Sequence, residues 1–357
     1  MKKSLLALAV LGVFAGTALA QSSVTAYGLI DENLGKSLGS ADKRMGQGGS
    51  SRLGFRGVED LGGGAVAFFQ IEHRFRPWNG TINGGNGING SPLTFWQGRS
   101  YVGLRGGWGE VRLGREFDGA FFHGELVGDP WGWDTVVSTM TTAVMGGPAL
   151  GYINVNRSVT YNSPNLAGFT FSYQVAEAND NCGQSGLAST QLSNTGPTAV
   201  GKAGTAINGT PFFQTCDNKP YSWGASYAGG PFRVGVGYNN PGNKNDNWLS
   251  TNAQYDFGVA KLWGFYGKGK DTANKDVKSS YLAVSVPLGQ GEFRAAVMRM
   301  DSESARLASG NSRTITGTGL AYFYALSKRT TLYADYARNS ALKVEPNGYD
   351  FGVKHVF

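Results

Sequence analysis

Arginine recurs through the first third of the chain at Arg52, Arg56, Arg74, Arg99 and Arg112, with acids close by in sequence at Glu72, Glu110, Glu116 and Asp118. A guanidinium stays charged at every accessible pH and presents a planar fork of donors to carboxylate or phosphate. If one surface carried several of them, it would concentrate small anions without transforming them. Other chemistry is thinly represented. Gly264-Phe265-Tyr266-Gly267-Lys268-Gly269-Lys270 has phosphate-loop spacing, but Asp271 follows where a magnesium-binding Ser or Thr is needed, and no helix pattern comes after it. The 3 histidines, His73, His123 and His355, are scattered and give no metal-ligand spacing. There is no Gly-x-Ser-x-Gly elbow. The expectation is therefore no enzyme, no metal, no cofactor and no nucleic-acid partner.

What must position the arginines is a set of strands. In the second strand Leu53, Phe55 and Gly57 alternate with Arg52, Gly54 and Arg56; in the third, Phe69 and Ile71 alternate with Gln70, Glu72 and Arg74. Val102 and Leu104 set Arg99, Tyr101 and Arg105 on the opposite face, and Val111 and Leu113 do the same for Glu110, Arg112 and Glu116. A period of two with apolar residues on one face and charges on the other predicts strands that meet lipid outside and water inside.

Seven short turn signals, at 59–63, 106–109, 164–168, 228–231, 256–258, 287–291 and 326–329, alternate with seven longer polar stretches at 77–96, 116–150, 177–219, 240–246, 269–277, 301–311 and 340–346. This rhythm predicts an all-β fold: a transmembrane antiparallel β-barrel of about sixteen strands, even-numbered as bacterial barrels are. The 55 glycines and a mean hydropathy of −0.24 agree with it, because a barrel strand offers lipid only alternate residues. Both chain ends agree too. Lys2 and Lys3, the apolar run from Leu5 to Phe14 and Ala18-Leu19-Ala20 follow the order of a secretory signal peptide, which assigns 1–20 to the signal and 21–357 to one barrel domain. Removing Lys2 and Lys3 lowers the formal charge from +7 to +5. At the other end Tyr349, Phe351, Val353, His355 and Phe357 alternate into an aromatic-ended closing strand.

The segment 116–150 is too long for an idle connector and is rich in Phe, Trp, Val and Met. Folding into the lumen would bury these residues and would let Glu116, Asp118, Glu125, Asp129 and Asp134 face the arginines across a gap; a loop capping the barrel from outside is the alternative. Cys182 and Cys216 are the only 2 cysteines and fall in one long loop, so in an oxidising envelope they are expected to be bonded.

Taken together, Ser22-Ser23-Val24-Thr25-Ala26-Tyr27-Gly28, the run from Ser51-Arg52-Leu53-Gly54-Phe55-Arg56-Gly57 to Gly62, Gly109-Glu110-Val111-Arg112-Leu113-Gly114-Arg115, Ser163-Pro164-Asn165 and Val353-Lys354-His355-Val356-Phe357 resemble the trimeric general porins of Gram-negative outer membranes, in particular the beta-proteobacterial type. The resemblance implies a sixteen-stranded barrel, a homotrimer in outer-membrane lipid, and a third loop folded inward to narrow the pore. It places Arg52 and Glu72 on the constriction wall and maps the Gly-Arg ending the fifth strand onto Gly114-Arg115, although alternation would turn Arg115 outward. Asn154 stands where the family often has a sixth-strand arginine, while Arg157 shares parity with Val159 and Tyr161. Gly98 and Arg99 leave the fourth-strand arginine ambiguous by one residue. The expected activity is passive diffusion of small hydrophilic solutes, with preference for small anions. The rival readings are a channel specific for one anionic metabolite and a barrel serving as adhesin or anchor.

Overall fold

Phe357 closes the chain onto its own beginning. Its backbone exchanges two hydrogen bonds with Gly28, at 3.0 and 3.1 Å, and its ring occupies the space that a Cβ at position 28 would need. The computed structural model describes residues 22–82, 95–137, 144–145, 153–177, 219–242, 245–271, 274–302 and 314–357. Residues 1–20, Met140 of the third loop, and the loop holding Cys182 and Cys216 lie outside the described residues.

Sixteen long strands form the barrel: β1 (Ser23–Lys36), β2 (Arg52–Gly62), β3 (Ala65–Arg76), β4 (Ser100–Gly106), β5 (Gly109–Phe117), β6 (Asn154–Asn162), β7 (Phe169–Ala176), β8 (Tyr221–Gly229), β9 (Phe232–Asn240), β10 (Asn247–Asp256), β11 (Lys261–Lys270), β12 (Asp276–Leu288), β13 (Gly291–Ser302), β14 (Thr314–Ala325), β15 (Thr330–Asn339) and β16 (Asn347–Val356). Each pairs antiparallel with its neighbours, and β1 meets β16 in register from Leu29↔Val356 to Lys36↔Tyr349, which leaves the sheet without a free edge. In lipid this closure is obligatory, because an unpaired backbone edge would find no water to bond. Two short extra strands, Lys43–Gly46 and Thr81–Ile82, extend the ladder at the long-loop end. The first of them lies in a connection, residues 37–51, that the sequence pattern did not mark as a loop.

Alternation decides which side each residue meets. Val102, Leu104 and Leu113 are more than half exposed on the outer face, whereas Tyr101, beside Val102 on the inner face, is 8% exposed. An exposed apolar row of this kind would be costly in water and is stabilising against hydrocarbon. The inner face divides in two. From β2 to β5 it is charged. From β8 to β16 it carries a buried apolar patch interspersed with Asn239, Asn252, Arg294, Asp335 and Asp350, and it packs against the connection between β5 and β6.

Candidate functional site

The charged wall is a layered network. Glu72 on β3 accepts from Arg74 Nε at 3.0 Å and from Tyr27 OH at 3.2 Å, and Arg52 Nε approaches its other face at 3.9 Å. Gln70 donates to Tyr27 OH at 2.5 Å and accepts from Tyr101 OH at 2.9 Å, linking β1, β3 and β4 across the pore surface. One layer nearer β5, Glu116 lies 2.7 Å from Arg99 Nε and also bonds Arg112, whose other arm reaches Glu110 at 2.5 Å. Arg99 stacks over the Phe117 ring at 4.3 Å and Arg112 over Tyr101 at 4.9 Å. The carboxylates and rings hold the guanidiniums in place, as charge-assisted bonds and cation–π contacts do where solvent is limited.

Arg115 joins this layer through a bulge. The register between β5 and β6 shifts between Gly114 and Glu116, and Gly114 has φ +136°, a conformation that L side chains rarely adopt. The extra residue breaks the strict alternation. Arg115 then donates to the carbonyls of Gln97 and Gly98 at 2.9 to 3.0 Å and to Asn156. Gly98 lies so close to Glu72 that a Cβ there would meet its Cδ at 2.7 Å. Of the two fourth-strand candidates, Gly98 leaves room for Glu72, and Arg99 brings its guanidinium to Glu116. Arg157 goes the other way. It is exposed, sits at φ +45° and pairs with Glu177 at 3.1 Å at the mouth of the next loop.

Opposite the arginines lies the connection between β5 and β6, and its attachment explains its position. Asp118 caps a short helical segment, Phe121–Glu125, accepting from Ala120 N at 2.7 Å and Phe121 N at 3.1 Å, and accepts from Asn239 on β9 at 2.7 Å. That segment rests on glycines. A Cβ at Gly224 would meet the Gly119 carbonyl at 2.5 Å and His123 Cβ at 2.8 Å, and Gly235 and Gly237 lie against His123 and Ala120. Asn252 holds the carbonyls of His123 and Gly124 at 2.8 and 2.9 Å. Further on, Asp129 accepts from Trp131 N, Trp133 N and Tyr281 OH at 2.9 to 3.1 Å. Trp131 Nε1 donates to Asp335 at 2.7 Å, Val136 N to Asp350 at 2.9 Å, and Arg294 to the Pro130 carbonyl.

The loop's apolar residues seal the contact. Trp131, Val136, Val137, Val144 and Met145 pack with Trp248, Trp263, Phe265, Tyr281, Met298, Met300 and Phe323 from β10 to β14 into one buried cluster. Burying a side chain of this size contributes about 1.5 to 3 kcal/mol, so the cluster outweighs what ordering the loop costs only because many such residues act together.

This arrangement corrects the expected placement of the acids. Asp118, Glu125 and Asp129 are 2, 5 and 6% exposed and turn toward the covered wall, away from the gap. Asp134 keeps partial exposure and is paired with Lys354 at 2.9 Å. Glu116 belongs to β5 and sits among the arginines, not across from them. Because carboxylates packed among carbonyls and rings are poorly solvated, burial pushes Asp118 and Asp129 up to about 6 and Glu125 well above its ordinary range. His123, wedged between Ser172 and Ser226 hydroxyls, is pushed down to about 4 by burial.

A closed sixteen-stranded barrel with a lipid-facing exterior and a charged inner wall defines a multi-pass outer-membrane channel. The chain belongs to the Gram-negative porin family, whose profile matches residues 7–342. The outer membrane porin protein 32 of Delftia acidovorans is 34% identical over 94% of this chain and 89% of its own length. The solved anion-selective porin from Comamonas acidovorans is 25% identical and superimposes with a TM-score of 0.66 over 94% of this chain and all of its own. OmpT of Vibrio cholerae, solved in a trimer form, is 13% identical with a TM-score of 0.62 over 94% of this chain and 99% of its own; that likeness is one of fold alone.

Proposed function

We propose that this porin is a passive diffusion channel for small hydrophilic solutes that favours anions. The observation that carries the reading is a charge imbalance across the gap. On the β2–β5 wall Arg52, Arg56, Arg74, Arg99, Arg105, Arg112 and Arg115 outnumber Glu72, Glu110 and Glu116 by seven to three, while the described acids of the facing loop are buried or paired. In a tube with low-dielectric walls such an excess raises the local concentration of anions and repels cations. The name of the Comamonas relative, anion-selective, supports the same reading.

The mature chain begins near Gln21, assembles as a homotrimer in outer-membrane lipid, and joins Cys182 to Cys216. Single-channel recording in a salt gradient tests the function. The expected reversal potential has the anion-preferring sign at about 0.1 M salt, where screening acts over about 10 Å; a cation-preferring sign would refute it. A non-reduced digest analysed by mass should contain the linked cysteine peptides.

A further inference from the structure

Toward the short turns the same strands enclose a basic recess of about 290 Å³ lined by Arg56, Arg105, Arg112, Phe68 and Tyr101, with Glu110 as its one carboxylate. Its floor is the Phe68 ring, laid flat into the wall because Gly103 faces it across the ladder. A Cβ at Gly103 would meet Phe68 Cζ at 2.6 Å. Arg105 and Arg112 flank this ring at 5.6 and 5.9 Å from its centroid, and Arg56 lies over Tyr27 at 5.6 Å. Arg112 is committed to Glu110 and Glu116. Glu110 stands across the ladder from Arg105 but is held by Arg112, and among the described residues neither Arg56 nor Arg105 is in an ion pair; Arg105 stands on the end of β4 next to the turn.

Ring-covered guanidiniums that are outside any ion pair, as Arg56 and Arg105 are, differ from the paired ones above them. Each has one face covered by a ring and offers the pore its other face and its N–H edge. A spherical anion gains only from the charge. A flat anion gains twice, because its ring stacks on the free guanidinium face while its carboxylate takes the N–H fork of the neighbouring arginine. We propose that this recess binds small aromatic carboxylates of the benzoate type as a transient stop on their way through the pore. The proposal rests on the anion-channel reading above and deepens it by naming a solute class.

The test is current block in planar bilayers by benzoate, acetate, cyclohexanecarboxylate and neutral benzamide, added on the short-turn side at matched ionic strength. Benzoate is expected to block saturably at concentrations where the other three do not. Arg105→Gln should raise the half-blocking benzoate concentration about tenfold, the loss of one stacked, charged contact, and narrow the benzoate-to-acetate ratio. Phe68→Leu, which keeps the volume apolar and removes the ring under Arg105 and Arg112, should narrow the ratio in the same direction. Equal block by acetate and benzoate in the unmodified porin, or an unchanged ratio in both variants, would overturn the proposal while leaving an anion-preferring reversal potential intact. A cation-preferring reversal potential would instead remove the underlying reading.

Discussion

Between β2 and β5 the inner wall presents guanidiniums to water, whereas between β10 and β14 it presents Trp248, Trp263, Phe265, Tyr281, Met298 and Phe323 to the underside of a loop. The same barrel, with the same register and the same lipid outside, carries a wet wall and a dry one. The difference teaches how the proposed anion preference depends on two walls at once. Apolar packing and buried bonds fix the loop, so it needs no exposed carboxylates to hold it in place. Its acids are spent on backbone N–H groups, on Tyr281 and on Asn239, which leaves the arginines facing a surface with little negative charge of its own.

Breaking the dry wall should have the largest effect. Trp131→Ala removes a ring that is 2% exposed together with its bond to Asp335, and should weaken loop attachment by about 3 to 5 kcal/mol. The expected outcome is a larger and noisier single-channel conductance with the barrel still folded; quiet channels of unaltered size would show that the cluster does not hold the loop.

The dry wall should also respond to pH where the arginines do not. A carboxylate raised in the folded state favours folding below its ordinary value and loses that contribution as pH climbs through the folded value, here about 6 for Asp118 and Asp129. His123, lowered to about 4, works oppositely, contributing above its ordinary value and losing that contribution as pH falls. Three raised carboxylates, Glu125 included, outnumber one imidazole, so the loop should be held more firmly near pH 4 than near pH 7. Hydrogen exchange of the Phe121–Gly128 amides, corrected for intrinsic rates, reads this directly, and equal protection at both values would contradict it.

Arg157 sharpens the comparison from the other side. Exposed and paired with Glu177, it lies on neither wall, and exposed pairs of this kind contribute about 0 to 1 kcal/mol. Arg157→Ala should leave the reversal potential and the melting temperature within error. A measurable loss of anion preference would place this residue in the pore.

The wet wall was legible in the sequence because its strands alternate cleanly: Leu53 and Phe55 out, Arg52 and Arg56 in, with the same pattern around Glu72, Arg99 and Arg112. Arg115 was not legible by alternation, since a bulge at Gly114 leaves no mark except the glycine itself. Most of the dry wall was missed, although a signal exists. In Lys261–Lys270 both parities are apolar, Trp263 and Phe265 inside and Leu262 and Tyr266 outside, and the run around Tyr281, Leu282 and Ala283 behaves likewise. Strands covered on both faces lose their alternation. Read that way, these runs mark the part of the lumen that something must cover, and the aromatic-rich loop after β5 is the segment long enough to do so. The destination of the loop's acids depended on hydrogen bonds to residues more than a hundred positions away, such as Asn239 and Tyr281, which no local pattern encodes.

Arg52 and Glu72 bring the account to a single experiment. Glu72 is almost buried between Arg52 and Arg74 and steadies both, while Arg52 remains one-third exposed to the pore. Reversal potentials of the unmodified channel, Arg52→Glu and Glu72→Gln should be measured side by side in one salt gradient. The account predicts anion preference in the first, a sharp loss of it in the second and an increase in the third. An unchanged value for Arg52→Glu, or cation preference in the unmodified channel, would contradict the claim that the wall's unbalanced guanidiniums set the selectivity.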